Sequence, residues 1–415
     1  MTKLSEELAW RGLANQTTFS RPEDINEPRT FYFGVDPSAR SMHIGNLAQV
    51  MVVKHLLNHG HKAIVLVGGA TGMIGDPKED AERDLKTLDE IDENKAGIAD
   101  QYRILLDGQE FDLVDNYDWF KDVGYLEFLR DIGKHFSMTQ LLDREFIKAR
   151  IGEGGSGISY AEFSYSLIQG YDFLRLYRDK GATMQVGGSD QWGNMISGAQ
   201  MIRKLEGEEA HVWTVPLIID RATGKKFGKS EGNAIWLNPE MTSPYKFYQF
   251  WLNLDDETAA ELIKVYTFLD RNIIEDVISN HDLNRGERLL QKTLAREVTE
   301  LVHGRKRRES VERVTGVLFG GEDFAGLSSE DIDELAQEIP VVEPMDIVRA
   351  LVGSKAASSN GEAKRLIDNN AISVNGQKVT ENIDITDTSL VKKGKNTFVL
   401  VLNKSAYGSR PSAVL

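Results

Sequence analysis

Five consecutive apolar residues, Ala63-Ile64-Val65-Leu66-Val67, constrain the fold of this chain most. A strand with no polar side must be buried on both faces, which happens in parallel sheets covered by helices. Upstream, Thr30-Phe31-Tyr32-Phe33-Gly34-Val35 is a β-branched and aromatic run that reads as another strand, and a loop with Pro37 and Ser38 follows it. Between the two runs, Leu47, Val50, Met51 and Leu57 recur at helical spacing over residues 43–59, and Gly60 ends the helix. Strand, loop, helix and strand make a βαβ unit, so the first half is expected to be an α/β domain with a parallel sheet. A second set of elements follows the stretch Gly152-Glu153-Gly154-Gly155-Ser156-Gly157. Ser159 and Glu162 form a capping box that opens a helix running to about Asp179. Residues 184–186 are a strand candidate, Gly187-Gly188-Ser189-Asp190 turns into a helix through about Leu205, and residues 213–219 are a further strand candidate. The sheet domain is expected to end near Asp220.

Residues 243–316 have a nearly continuous helical pattern. Residues 321–345 hold eight Asp or Glu and no Lys or Arg, which reads as a solvated linker with one short helix around 329–337. Residues 344–404 hold nine Lys or Arg against six Asp or Glu, a local +3 in a chain whose net charge is -15. An acidic chain repels phosphate backbones on average, so nucleic-acid binding has to come from such local patches. The sequence contains no cysteine, which excludes disulfides, thiolate metal sites and cysteine nucleophiles. No window approaches the ~18 unbroken apolar residues of a membrane span, and the first residues are too acidic for a secretory signal. At 415 residues, a multidomain cytoplasmic protein is expected.

Two short motifs suggest phosphate chemistry. His43-Ile44-Gly45-Asn46 stands where a strand and loop open a helix, and free amides and the helix dipole favour phosphate there. Gly45 lets a nucleotide approach the backbone and His43 can donate to it; by itself, His43 is equally an ordinary first residue of a helix. Lys225-Lys226-Phe227-Gly228-Lys229-Ser230 packs three lysines around a glycine after the last strand candidate. Three ammonium groups either face solvent or meet an anion, and paired with the first motif this loop can close on a triphosphate from the opposite side. In the helix after the capping box, Tyr165, Gln169 and Asp172 fall at i, i+4 and i+7 and share one face. That stripe is either solvated or the wall of a pocket. Near the C-terminus, a helix start at Ser359-Asn360-Gly361-Glu362-Ala363-Lys364-Arg365 precedes a hairpin with an Asn375-Gly376 turn. Arg305-Lys306-Arg307-Arg308 is a second basic cluster, either a solvated helix end or an RNA contact.

Together these motifs resemble the class I aminoacyl-tRNA synthetases, with His43 to Asn46 in the place of the HIGH signature and Lys226 to Ser230 in that of KMSKS. Further stretches make the chain similar to the bacterial-type tyrosyl-tRNA synthetases. They are Tyr32-Phe33-Gly34-Val35-Asp36-Pro37, Val67-Gly68-Gly69-Ala70-Thr71-Gly72-Met73-Ile74-Gly75-Asp76-Pro77, Glu162-Phe163-Ser164-Tyr165 with Gln169 and Asp172, and Gly187-Gly188-Ser189-Asp190-Gln191-Trp192-Gly193-Asn194. The resemblance implies an α/β fold with a Rossmann-like catalytic domain over residues 1–220. A KMSKS-type loop and an all-helical anticodon-side domain follow over 221–320. The acidic linker covers 321–343, and a small α+β S4-like RNA-binding domain covers 344–415.

It further implies activation of L-tyrosine by ATP, with Mg2+ accompanying ATP and no dedicated protein metal site. Transfer to the 3′ end of tRNA(Tyr) follows, and the enzyme is implied to be a homodimer without a membrane partner. Within that resemblance Tyr165, Gln169 and Asp76 hold the substrate ammonium, Asp172 and Tyr32 meet its phenol, and Gln185 and Gln191 complete the pocket. Asp190 and Gly188 approach the ribose, and Gly34 and Asp36 lie along the adenylate. His43, Gly45, Asn46, Lys226, Lys229 and Ser230 serve ATP. Asn46 departs from the second histidine of the signature, and Gln49 from a common threonine. Lys78 and Arg83 are too uncertainly aligned to assign. Two rival readings stand beside this one: a tryptophanyl-type synthetase, and a non-catalytic RNA-binding relative.

Overall fold

A computed structural model describes residues 2–76, 86–142, 145–219, 227, 229–230 and 233–404, apart from the side chains of residues 140, 145, 146, 149, 229, 230 and 233. Contacts divide the chain into two compact units, Met1–Ser243 with Trp251–Val298, and Pro244–Phe250 with Thr299–Leu415.

The first unit is built on five parallel strands: β1 (Thr30–Val35), β2 (Lys62–Val67), β3 (Phe111–Asp115), β4 (Met184–Gly188) and β5 (His211–Val215), in the order β3-β2-β1-β4-β5. The expected helix after β1 is Ile44–Asn58, and the capping box opens the helix Tyr160–Lys180. Two expectations shift. The last strand lies at His211–Val215 rather than 213–219, because Pro216 has no N–H to give a ladder. Strand β3 was not anticipated: Phe111-Asp112-Leu113-Val114-Asp115 is an edge strand, only partly buried, and its sequence mixes acids with apolar residues.

Register decides which side chains meet. Tyr32 lies opposite Ile64 on β2 and Gln185 on β4, so the three share one sheet face. Phe173 and Leu174 of the helix Tyr160–Lys180 and Met201 and Ile202 of the helix Trp192–Glu206 belong to the core against that face. These helices touch at Gly170 and Gly198, where a Cβ on Gly198 would lie 3.4 Å from the Cα of Gly170 and 2.9 Å from the Cβ of Phe173. Phe31 and Phe33 point to the other face, where the Phe33 ring meets Tyr102 of the helix Leu88–Leu105 at 6.2 Å. The expected helical stretch contains the helices Pro244–Leu252, Asp256–Tyr266, Arg271–Leu283, Leu289–His303 and Arg305–Thr315.

The second unit holds a mixed sheet in the order Gln377–Lys378, Ile372–Val374, Ser389–Lys393, Thr397–Val401, Val341–Val342, with the last pair parallel. Asn375 (φ 46) and Gly376 (φ 82) both take left-handed backbone, as a two-residue hairpin turn requires. The short helix expected in the acidic stretch is Ser329–Glu338; the stretch departs from a solvated linker in that this helix is packed and the strand Val341–Val342 follows it. Ile332, Leu335, Ala336 and Ile339 recur at i, i+3, i+4 and i+7 and pack with Phe324, Leu390, Phe398 and Leu400, leaving most of the acids on the outer side. Among the described residues no helix is long and apolar enough to cross a membrane.

Candidate active site

In an open α/β sheet the ligand crevice lies beyond the carboxyl ends of the strands where the strand order reverses. Here that point falls between β1 and β4. It sets Gly34 and Asp36 beside Gly187, Gly188 and Asp190. A Cβ on Gly188 would lie 2.6 Å from Asp190 Oδ1 and 2.8 Å from Gln49 Nε2, so both side-chain ends would have to move aside.

Below this crevice the side chains of Tyr32, Gln185 and Asp172 are almost completely buried. Asp172 Oδ1 accepts from Trp119 Nε1 at 2.9 Å, and Oδ2 accepts from Asn116 Nδ2 at 3.1 Å. Burial pushes the Asp172 carboxyl up to about 8, with Asp36 and Asp115 adding to the rise and the two N–H donors opposing it. Burial, then the charge of Asp172, pushes the Tyr32 phenol well above its ordinary range. The Tyr32 hydroxyl, Gln169 Oε1 and Gln185 Oε1 are buried without a hydrogen-bond partner. Tyr32 and Gln185 are register partners, and Gln169 lies one turn before Asp172 on the same helix, so these orphaned polar atoms suit a ligand carrying its own polar groups.

Asn116 and Trp119 are site residues that sequence reasoning missed. Asn116 is fully buried: its Oδ1 accepts from Ala70 N at 2.7 Å, and Nδ2 donates to Thr71 Oγ1 at 3.1 Å as well as to Asp172. Both residues follow the unanticipated β3 and carry no motif, so only recognition of that strand would have pointed to them.

The opposite wall is a carboxylate cluster. Tyr165 donates its hydroxyl to Asp36 Oδ2 at 2.7 Å, and its phenol is pushed well above the ordinary range by burial, then by Asp36 and Asp76. Asp76 accepts from Gln191 Nε2 at 2.7 Å and from Asn194 Nδ2 at 3.3 Å. Asn194 Oδ1 in turn accepts from Ser166 Oγ at 2.6 Å. Asn194 ends one of the motifs quoted above and Ser166 directly follows another, yet nothing local marked them as support for Asp76. Asp36 and Asp76, the two acids beside Tyr165 on this wall, give it a negative potential suited to an ammonium group.

On the nucleotide side, His43 caps the helix Ile44–Asn58: its Nδ1 accepts from Gly45 N at 3.0 Å, while Asn46 Oδ1 accepts from His43 N at 3.1 Å. The departure at Asn46 therefore closes a capping box. His43, Gly45, Asn46, Gln49, Asp190 and Phe227 line a cavity of about 120 Å³. Lys225, Lys226 and Gly228, like Lys78 and Arg83, lie outside the described residues. Lys229 and Ser230 form a two-residue strand paired with Asn233–Ala234. Both ends of this loop come back to the His43 segment. Phe227 O lies 3.7 Å from where a Cβ on Gly45 would be, Ile44 N donates to Ile235 O at 3.0 Å, and Leu237 N donates to Met42 O at 2.9 Å. Among the described residues no group of three His, Cys, Asp or Glu is placed to hold a metal.

The second basic cluster is largely consumed by ion pairs within its unit. Arg305 meets Glu309, Lys306 meets Glu330, and Arg308 meets Glu300, Glu309 and Glu312. That agrees with a solvated helix end better than with an RNA contact.

The family model of class I tRNA synthetases (W and Y) matches residues 23–320, and that of the tyrosine–tRNA ligase SYY-like C-terminal domain matches residues 331–401. A tyrosine–tRNA ligase of Flavobacterium psychrophilum is 42% identical over 422 residues, covering 97% of each chain. Among solved structures, a C-terminally truncated mitochondrial tyrosyl-tRNA synthetase of Coccidioides posadasii superposes with a TM-score of 0.66 at 29% identity, covering 75% of this chain and 92% of that one. The corresponding enzyme of Aspergillus nidulans gives 0.68 at 28% identity, covering 77% and 95%. The fold and site thus define a class I aminoacyl-tRNA synthetase, and the chain belongs to the tyrosine–tRNA ligase family within that class.

Proposed function

We propose that this chain is a tyrosine–tRNA ligase whose amino-acid pocket lies between Asp172 and Asp76. The observation that carries this reading is the buried Asp172, held by Asn116 and Trp119 on the same side of the sheet as the unpartnered Tyr32 hydroxyl. A phenol satisfies an acceptor and a hydroxyl together, and an indole N–H cannot. Tyr165, Gln169 and Asp76 hold the ammonium, and Gln185 and Gln191 complete the pocket. The substrate carboxylate then points toward the crevice at Gly34, Asp36, Gly188 and Asp190.

In the first step a carboxylate oxygen of tyrosine bonds to the α-phosphorus of ATP, and the bond to the β-phosphate oxygen breaks, releasing pyrophosphate. In the second, a hydroxyl of the terminal tRNA ribose takes the tyrosyl group and AMP leaves. No side chain becomes a nucleophile; catalysis comes from alignment and from donors placed on the departing pyrophosphate. His43, Asn46, Lys226, Lys229 and Ser230 are the proposed donors, with Mg2+ arriving on ATP.

The proposed division of labour follows the segments 1–220, 221–320, 321–343 and 344–415, the last as an S4-like module for tRNA. The enzyme is proposed to work in the cytoplasm as a homodimer. In support of the dimer, Tyr125, Leu126, Met138, Ile151 and Tyr160 are all at least half exposed. Amino-acid-dependent ATP–pyrophosphate exchange tests the whole reading. Exchange with tyrosine is expected; exchange with tryptophan instead, or with no amino acid, overturns it.

A further inference from the structure

We propose that Arg150 is a positioning residue for the tyrosine pocket, acting through Glu162. Both side chains are only 3% exposed. Arg150 Nη1 and Nη2 donate to the two carboxylate oxygens of Glu162 at 3.1 and 3.0 Å, and Nε donates to Gly157 O at 2.6 Å. The backbone closes the same loop, with Gly157 N donating to Arg150 O at 2.8 Å and Gly157 in left-handed conformation at φ 77. Glu162 also completes the capping box, accepting from Ser159 N at 3.2 Å. The start of the helix Tyr160–Lys180 is therefore gripped by a planar fork from a segment twelve residues upstream.

The next turn carries the groups that gain from this grip. Tyr165 binds Asp36, and Ser166 orients Asn194, which holds Asp76. Asp172 lies nearly three turns beyond Glu162, at about 3.6 residues per turn, and is held separately by Asn116 and Trp119. Loosening the first turn thus disturbs the ammonium end of the pocket and leaves the phenol end in place. A buried ion pair adds little net stability compared with an apolar pair of similar size, while stranding one of its charges is strongly destabilising. Stability and positioning can therefore be separated by removing both charges together.

The test is tyrosine-dependent ATP–pyrophosphate exchange and thermal melting of the full chain carrying Arg150→Met, and carrying Arg150→Met with Glu162→Gln. The double variant is expected to melt close to the parent. Its KM for tyrosine should still be raised about tenfold, the scale of a sub-ångström misplacement. Its KM for ATP and its preference for tyrosine over phenylalanine should stay unchanged. If Arg150→Met alone fails to fold, the double variant supplies the reading. A double variant with parental tyrosine KM, or with both substrate constants raised alike, overturns the proposal. The inference rests on assigning this helix face to tyrosine, and Tyr165→Phe separates the two. An unchanged tyrosine KM in Tyr165→Phe overturns the pocket assignment; a raised one there, beside a parental KM in the double variant, overturns only the role of Arg150.

Discussion

Asp172 is subject to opposed demands. Burial holds a proton on it up to about pH 8 in the folded chain, whereas the unfolded carboxyl loses its proton near pH 4. Across that window the folded state binds more protons, so this group's contribution to stability is greatest in acid and falls as pH rises. A phenol that donates to Asp172 binds its ionised form more strongly than its protonated form, because a charged acceptor makes the stronger hydrogen bond. The kcat/KM for tyrosine in exchange is therefore expected to rise severalfold between about pH 7 and about pH 8.5, since this ratio reports the free enzyme's ionisations. A flat profile would show that the carboxylate does not receive the phenol. Tyr32 supplies the companion test. With phenylalanine bound, its buried hydroxyl stays unpartnered, so Tyr32→Phe should relax the tyrosine-to-phenylalanine ratio of kcat/KM by about tenfold, or roughly 1–1.5 kcal/mol for one neutral hydrogen bond. An unchanged ratio would move the pocket elsewhere.

At the scale of elements, the lysine loop is suspended between two anchors. Phe227 is buried, with its N donating to Ile218 O at 2.8 Å, and residues 235 and 237 pair with residues 44 and 42. A loop tethered at both ends beside the His43 cap can bring its cations to the nucleotide without rearranging the amino-acid pocket. Lys229→Ala is expected to lower adenylate formation by about 10²–10³, the cost of one transition-state donor, while equilibrium tyrosine binding stays near parental. Parental single-turnover activation in that variant would remove Lys229 from the catalytic set. Strand β3 makes the complementary point, since the segment that follows it delivers Asn116 and Trp119 to Asp172 although the strand itself is only an edge.

At the scale of the molecule, the packing decides where a truncation is clean. A cut at residue 343 strips Leu390, Phe398 and Leu400 from Phe324, Ile332 and Leu335 and leaves the strand Val341–Val342 without its neighbour. Ending the chain after Gly320 uncovers Val314 and Leu318 of that cluster, with Tyr245 and Val317 at its edge, and unpairs Arg313 from Asp331. The shorter protein is expected to form tyrosyl-adenylate at a near-parental rate, to charge tRNA poorly, and to lose much of the salt dependence of tRNA affinity. Equal loss in both half-reactions would mean that the C-terminal module supports the fold rather than binding RNA.

Features governed by neighbours along the chain were legible without the fold. The apolar run of β2, the Ser159–Glu162 cap, the Asn375-Gly376 turn and the shared face of Tyr165, Gln169 and Asp172 all follow from periodicity or local backbone preference, and the stripe does face inward. The motif order by itself likewise points to the family. Tertiary structure alone brought Asn116 and Trp119 to Asp172, closed Ser166 and Asn194 onto Asp76, and packed the expected helix of the acidic stretch against Leu390, Phe398 and Leu400. Asn116 and Asp172 are 56 residues apart. A contact over that distance leaves no trace in local spacing, because it exists only once the sheet order has put the ends of β1, β2 and β3 beside one helix.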